Sequence, residues 1–180
     1  LGATGFIGSI LQTKLRELGA NVTSMGRRNS DIFLDLGQTG KIPLDINTFD
    51  ACVFLSGVSS PEYCSKNQEY SKLINVTNTI KVISFLIKQN IPVLFASSDV
   101  VYGHREEPVY ENTTLNPTCS YAKMKAAVEQ SFIGHPEFYV MRLSYVWAIG
   151  DKFTKFLLKS SANNEKIKIF HPFVRSIISI

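Results

Sequence analysis

Three glycines in seven residues open the chain, Gly2-Ala3-Thr4-Gly5-Phe6-Ile7-Gly8, and the residues after them are apolar at helical spacing. Ile7, Ile10, Leu11, Leu15 and Leu18 fall on one stripe, and Gly19 is a natural stop. Gly2 allows a tight backbone turn, Gly5 admits a pyrophosphate to the main chain, and Gly8 lets the helix pack closely on a strand. The amino end of that helix offers N–H groups and a positive dipole to phosphates. A glycine turn can also be a plain tight connection, but its place before an amphipathic helix favours a dinucleotide-binding loop. Leu1 abuts the turn, and the first residue is not Met. The expectation is a fragment, cut at the start and at the end, whose first strand lies upstream along with any export signal.

Beyond the turn the pattern alternates. Short strands are predicted over residues 21–25, 32–36 and 51–55, the last apolar on both faces as a covered parallel strand should be. A long helix is predicted over 61–89, with Val82, Ile83, Leu86 and Ile87 on its later apolar face. A buried strand over 91–96 runs into Ser97-Ser98, and a polar loop covers 103–118. A helix over 120–132, a strand over 138–145, a helix over 152–161 and a strand over 167–170 complete the chain. Strands alternating with helices imply parallel crossovers and an α/β, doubly wound parallel sheet. In such a sheet the ligand lies beyond the carboxyl ends of the strands. The glycine turn, Ser56-Gly57, Ser97-Ser98 and Ser144-Tyr145 all gather there. Residues 1–150 are expected to form the nucleotide-binding domain, lacking its first strand, and 151–180 to begin a smaller substrate-binding region.

Charge and cysteine usage exclude several functions. Residues 1–150 carry 13 Lys/Arg and 13 Asp/Glu, and residues 151–180 carry 6 and 2, so the net +4 lies in the tail. That density is too low for a nucleic-acid stripe and lacks interleaved aromatics, so no nucleic acid is expected. It would suit a small anionic substrate, although Lys152, Lys155 and Lys159 recur at the spacing of a solvated helix face. No apolar run is long enough to span a bilayer, so no membrane partner is expected. Cys52, Cys64 and Cys119 show neither paired nor metal-ligand spacing, which points to no metal and to the reduced cytoplasm.

Two clusters carry chemistry. Where a fold specific for NAD places an acid for the ribose 2′-hydroxyl, the second strand instead ends in Gly26-Arg27-Arg28. A guanidinium fork matches a 2′-phosphate, so NADP is preferred with NAD as the alternative, unless the arginines are merely solvated turn residues. Tyr121 and Lys125 are four apart and share a helix face. A free tyrosine, with pKa near ~10, is a poor base at neutral pH, and a neighbouring ammonium lowers that value. The same ammonium would hold the nicotinamide ribose, and Ser98, at its strand end, would orient the reacting oxygen toward Tyr121.

These motifs resemble the extended branch of the short-chain dehydrogenase/reductase family, the nucleotide-sugar epimerases, dehydratases and reductases with a Rossmann domain. The likeness covers essentially the whole chain. It rests on Gly2 to Gly8, Asp35-Leu36, Leu55-Ser56-Gly57, Asn75, Ser97-Ser98-Asp99-Val100-Val101-Tyr102-Gly103, Glu111, Pro117, Tyr121 with Lys125, Glu129 and Arg142. The resemblance implies that Ser98, Tyr121 and Lys125 are the catalytic trio. It places Thr4, Phe6 and Ile7 in the cofactor loop, Asp35 and Leu36 by the adenine, and Leu55, Ser56, Gly57 and Asn75 along the cofactor channel. Arg175 would grip a substrate diphosphate, and homodimerisation would run through the helix bearing Tyr121.

Departures narrow the branch. Val100 stands where 4,6-dehydratases carry a glutamate and where fucose-forming 3,5-epimerising reductases carry a cysteine, and valine moves no proton. Tyr145 replaces the substrate-binding Asn of many epimerases. Ser144-Tyr145-Val146-Trp147 is closer to rhamnose-type 4-keto reductases, whereas residues 170–180 are closer to epimerases. Reversible hydride transfer at an alcohol or ketone carbon of a nucleotide-linked sugar is expected, by an epimerase or a reductase. The reading from another class is a non-catalytic NADP-binding sensor or scaffold, a type that commonly loses the Tyr/Lys pair.

Overall fold

The computed structural model describes residues 1–38, 49–148, 150–168 and 176–180. Gly5 caps α1 (Phe6–Glu17) without a side-chain hydrogen bond. The helix ends as its glycine stop requires: Gly19, at φ +84°, donates to Arg16 O, and Ala20 N reaches back to Leu15 O at 3.0 Å. That is a Schellman closure around a left-handed residue. β1 (Met25–Gly26) and β2 (Ile32–Phe33) pair in parallel. Both are shorter than the sequence predicts; before Met25 the ladder gives way to Asp31. Its carboxylate accepts from the Ser24 N–H and hydroxyl, each at 2.7 Å.

The single helix predicted over 61–89 is divided. After β3 (Cys52–Phe54), Ser60 caps α2 (Pro61–Lys66) by accepting from Tyr63 N, and Pro61 occupies the first turn. Asn67, at φ −124° and ψ 57°, ends α2 and opens α3 (Gln68–Lys72). A π-helical segment, Leu73–Asn78, leads into α4 (Thr79–Lys88). β4 (Val93–Ser98) follows, then a 3-10 turn, Asp99–Tyr102, α5 (Ser120–Ser131) and β5 (Phe138–Leu143). β3, β4 and β5 form a parallel sheet in that order, with Phe54 opposite Phe95 and Ser97 opposite Arg142.

Leu1 and Gly2 join the two sheets. The Leu1 nitrogen donates to Val53 O at 2.9 Å, Leu55 N to Leu1 O at 3.0 Å, and Gly2 N to Met25 O at 2.8 Å. The parallel order is therefore β2, β1, Leu1–Gly2, β3, β4, β5. Beside this junction lies a cavity of 530 Å³, lined by Leu11 and Leu15 of α1, Val22, Val53 and Leu86. The main core is built by Phe54, Val93 and Phe95 of the sheet with Val82, Ile83, Leu86 and Ile87 of α4 and Val128 of α5. Lone apolar contacts are small, but this many buried side chains together dominate the stability.

Residues Leu1–Leu143 form one unit and Ser144–Ile180 another. In the second, β6 (Tyr145–Trp147) pairs in parallel with β7 (Ile177–Ser179), a strand the sequence reading misses. α6 (Lys152–Ala162) is capped by Asp151, whose carboxylate accepts from the N–H groups of Phe153 and Thr154 and from the Tyr145 hydroxyl. Ser144 separates β5 from β6, so the strand predicted over 138–145 is interrupted there. Of the strand predicted over 167–170, Ile167 and Lys168 are not in a strand, and the remainder lies outside the described residues. Lys152, Lys155 and Lys159 are exposed along α6, as a solvated face would be.

Gly8 is buried against the turn: a methyl there would meet the Gly2 carbonyl and lie 2.8 Å from Ala3 Cα, both fixed backbone. Gly8→Ala should cost about 1–3 kcal/mol in urea unfolding. Gly134→Ala, at φ +76° in open space, should cost only the backbone strain, about 1 kcal/mol. Equal stability of Gly8→Ala and the parent chain would contradict the close packing.

Candidate active site

Strand ends and the turn enclose a cleft of 770 Å³, within the range of small-molecule sites. Gly2, Thr4 and Gly5 line it on one side, Arg27, Arg28, Asp35 and Leu36 on another, and Leu55, Ser56 and Gly57 on a third. Ten of the sequence-predicted cofactor residues therefore meet in one place. Gly2, at φ +81°, holds its main chain so near Ser56 that an added Cβ would lie 2.8 Å from Ser56 N. The backbone cradle exists because no side chain fills it. Phe6 and Ile7 stand on the first turn of α1, Phe6 being exposed, and Gly8 packs behind the loop rather than on the cleft.

Asn75, in the π segment, is 2% exposed and grips both sides of Val58. Its Oδ1 accepts from Val58 N at 2.8 Å and its Nδ2 donates to Val58 O at 2.9 Å. It thereby fixes the loop after β3, and its Oδ1 lies 3.0 Å from where a Gly57 side chain would begin. Asn78 does the same for the loop after β2, donating to Leu36 O at 2.8 Å. A π-helical turn shifts the facing of successive residues, which brings both asparagines to the sheet edge.

α5 begins at Cys119, whose Sγ accepts from Ala122 N. Its inner face carries Tyr121 and Lys125. The Lys125 ammonium is 6% exposed, donates to Ala96 O at 2.7 Å, and sits 4.5 Å from the Phe95 ring centroid and 5.9 Å from that of Tyr121. It also approaches within 4.0 Å of the Gly57 Cβ position, which links it to the glycine-lined cleft. Burial pushes the ammonium down to about 8, against an upward pull from Glu129. Burial likewise pushes the Tyr121 phenol up to about 12, with smaller upward contributions from Cys64, Asp99 and Cys119. The sequence predicts a phenol lowered by its lysine. Here desolvation wins, because the ammonium is turned to the Ala96 carbonyl. Ser98, at the end of β4, donates its hydroxyl to Asp99 Oδ1 at 3.1 Å. Arg175 lies outside the described residues.

One turn beyond Lys125, the buried Glu129 carboxylate accepts from the Ser97 hydroxyl and takes a two-pronged bond from Arg142, Nε at 3.0 Å and Nη2 at 2.7 Å. Arg142 also donates to the Tyr102 hydroxyl at 2.7 Å and to Glu111 O at 2.8 Å, and stacks over the Tyr102 ring at 5.0 Å. One guanidinium thus ties β4, β5, α5 and the loop over 103–118 together behind the Tyr/Lys pair. Tyr63 and Tyr70, which no sequence motif singles out, also line the cleft.

A parallel α/β sheet with a glycine loop, a helix amino end and a cleft at its carboxyl edge is the arrangement of the Rossmann fold. The chain belongs to the NAD dependent epimerase/dehydratase family, whose profile matches residues 1–149, within the extended short-chain dehydrogenases/reductases. It is 26% identical over 138 residues to an N-acetyl-alpha-D-glucosaminyl-diphospho-ditrans,octacis-undecaprenol 4-epimerase of Escherichia coli O157:H7, covering 72% of this chain and 40% of that protein. It is 25% identical over 161 residues to a probable low-salt glycan biosynthesis reductase, Agl14, of Haloferax volcanii, covering 83% and 54%. Among solved structures, MoeE5 in complex with UDP-glucuronic acid and NAD superposes with TM-score 0.79 at 24% identity, over 99% of this chain and 66% of that one. A dTDP-4-dehydrorhamnose reductase of Bacillus anthracis in complex with NADP gives 0.77 at 19% identity, over 92% and 60%. These likenesses establish the fold. The chain spans about half the length of the curated relatives it matches. No helix among the described residues is long and apolar enough to cross a membrane.

Two measurements probe this geometry. Because the lysine value falls from 10.5 to about 8 on folding, the unfolded chain binds the extra proton between those limits, and stability rises with pH across that window. The rise should amount to about 2–3 kcal/mol and vanish in Lys125→Met, as urea unfolding from pH 7.5 to 10 will read. Arg142→Met should cost about 3–5 kcal/mol by stranding the Glu129 charge, and adding Glu129→Gln should restore much of it. An additive double mutant would contradict a coupled pair.

Proposed function

We propose that this chain is the nucleotide-binding part of an NAD(P)-dependent epimerase or reductase acting on a nucleotide-linked sugar. In this reading residues 1–150 bind the dinucleotide and 151–180 begin the substrate-binding region. The observation that carries it is Lys125: an ammonium kept inside the fold, between the Tyr121 ring and the glycine-lined cleft, is costly even with its bond to Ala96 O and its place over the Phe95 ring, a cost that functional sites retain.

The cleft suits a dinucleotide because Gly2 and Gly5 leave main-chain room for a pyrophosphate, and the α1 amino end faces it with no acidic side chain in the first turn. Leu55, Ser56, Gly57 and Asn75 bound the channel toward Lys125, with Asp35 and Leu36 at the adenosine end. Arg27 and Arg28 line the same cleft, and their forks suit a 2′-phosphate, so NADP is the preferred cofactor. The nicotinamide, when bound, supplies the site that accepts or returns a hydride.

The chain's own groups manage the proton and the oxygen. Tyr121 moves a proton to or from the substrate oxygen, Ser98 orients that oxygen, and Lys125 holds the ribose and stabilises the phenolate. A phenol raised to about 12 stays protonated at neutral pH, the state required of a donor when a ketone is reduced. Arg175 would meet the substrate diphosphate. Relatives of both kinds, a 4-epimerase and a reductase, support the reaction class, and the nucleotide-linked sugar is supported by the likeness to MoeE5 bound to UDP-glucuronic acid and NAD. The free cysteines suit a reducing compartment, so the cytoplasm is the proposed location, and a homodimer through α5 is the proposed assembly.

NADPH consumption with a 4-keto nucleotide sugar would mark a reductase, and interconversion of hydroxyl epimers without net consumption an epimerase. In either case Tyr121→Phe should lose at least about a hundredfold in kcat while retaining cofactor affinity. Near-full activity would remove the assigned mechanism, and tight dinucleotide binding with no turnover of any keto or hydroxyl sugar would favour a non-catalytic sensor. NADPH should bind more tightly than NADH, and Arg27→Ala with Arg28→Ala should weaken NADPH alone by about 10- to 100-fold.

A further inference from the structure

We infer that Tyr70 is the aromatic wall of the adenosine end of the cleft, contacting the adenine ring. This rests on the dinucleotide reading above.

Tyr70 is a large ring left 42% exposed on a short helix, yet it is not a free surface side chain. Its phenol lies against Gly37, so closely that a Cβ on that glycine would be 2.8 Å from the tyrosine Oη and 3.5 Å from Cε2. A side chain at this position would have to displace the tip of the tyrosine. The same backbone is turned by Asp35, whose Oδ1 accepts from Gly37 N at 2.8 Å. Asp35, Gly37 and Tyr70 thus form one corner of the cleft, at the end of β2.

The backbone that carries Tyr70 is anchored twice on its C-terminal side. Five residues on, Asn75 pairs with the N–H and carbonyl of Val58, and three further on, Asn78 bonds to Leu36 O. Those anchors fix the helix to the two loops that bound the cleft. The break at Asn67 is what turns α3 so that Tyr70 reaches this corner.

The division of the cleft follows from its chemistry. Its phosphate-accepting part is the main chain of Gly2 and Gly5, and its cationic part is the Arg27–Arg28 turn. The remaining corner offers an aromatic side chain, a carboxylate and a glycine backbone, which suits a flat heterocycle with exocyclic donors. Stacking of a base on an aromatic side chain depends on the π-face rather than on the tyrosine hydroxyl.

The test uses adenosine 2′,5′-bisphosphate and nicotinamide mononucleotide as separate probes, titrated calorimetrically into the full chain. Tyr70→Ala should weaken the adenosine probe by about 5- to 100-fold. Tyr70→Phe should bind it nearly as the parent does, and Gly37→Ala, which pushes the ring off its seat, should weaken it as well. Adenosine-probe binding by Tyr70→Ala equal to the parent's would overturn the inference. So would a loss that fell equally on the mononucleotide, which has no adenine. If the parent chain bound neither probe nor the intact dinucleotides, the cofactor reading itself would fall, a result distinct from either.

Discussion

Two residues of backbone hold this architecture together. Leu1 and Gly2 bond to Val53 and Leu55 on one side and to Met25 on the other, so among the described residues they join the β1–β2 pair to the β3–β4–β5 sheet. The glycine turn then has to leave this junction and enter α1 within three residues. That is sterically open because Gly2 is left-handed and Gly8 has no side chain to strike the turn. The cleft is the consequence: a main chain bent away from the sheet edge leaves room above the strand ends.

A second set of constraints positions chemistry on that edge. Polar side chains, not apolar ones, fasten the loops around the cleft. Asn75 and Asn78 reach out of the π segment to the loops after β3 and β2. Glu129 and Arg142 lock α5 to β4 and β5 and extend to Tyr102 and Glu111. Satisfied polar networks of this kind specify one arrangement, because any slip would leave a charge or amide unpaired in a low dielectric. Lys125 is carried by this framework. Its burial is a local cost of the kind that functional sites retain.

Much of this was legible from the residues. The glycine turn could be read because its conformational demands belong to the residue type itself. Tyr121 and Lys125 could be read because a spacing of four on a helix means one face. The parallel α/β plan followed from alternation of period. The break at Asn67 could not, since the apolar periodicity over 61–89 is carried by α4 alone and a polar stretch gives no signal of where it bends. Tyr63 and Tyr70 were hidden with it, for their place on the cleft exists only once the helix is broken. The protonation of the Tyr/Lys pair was also misjudged. Spacing gives proximity but not burial, and burial is what raises the phenol and lowers the ammonium. β7 was missed because it is a three-residue strand whose pairing depends on a distant partner.

One ligand is expected to span the cleft from the opening turn to α5. Amide hydrogen exchange of the chain with and without NADPH reads this directly. Protection should appear together at residues 2–8, at 55–58 and at the first turns of α5. Binding that protects other segments while the opening turn exchanges as in the free chain would contradict it.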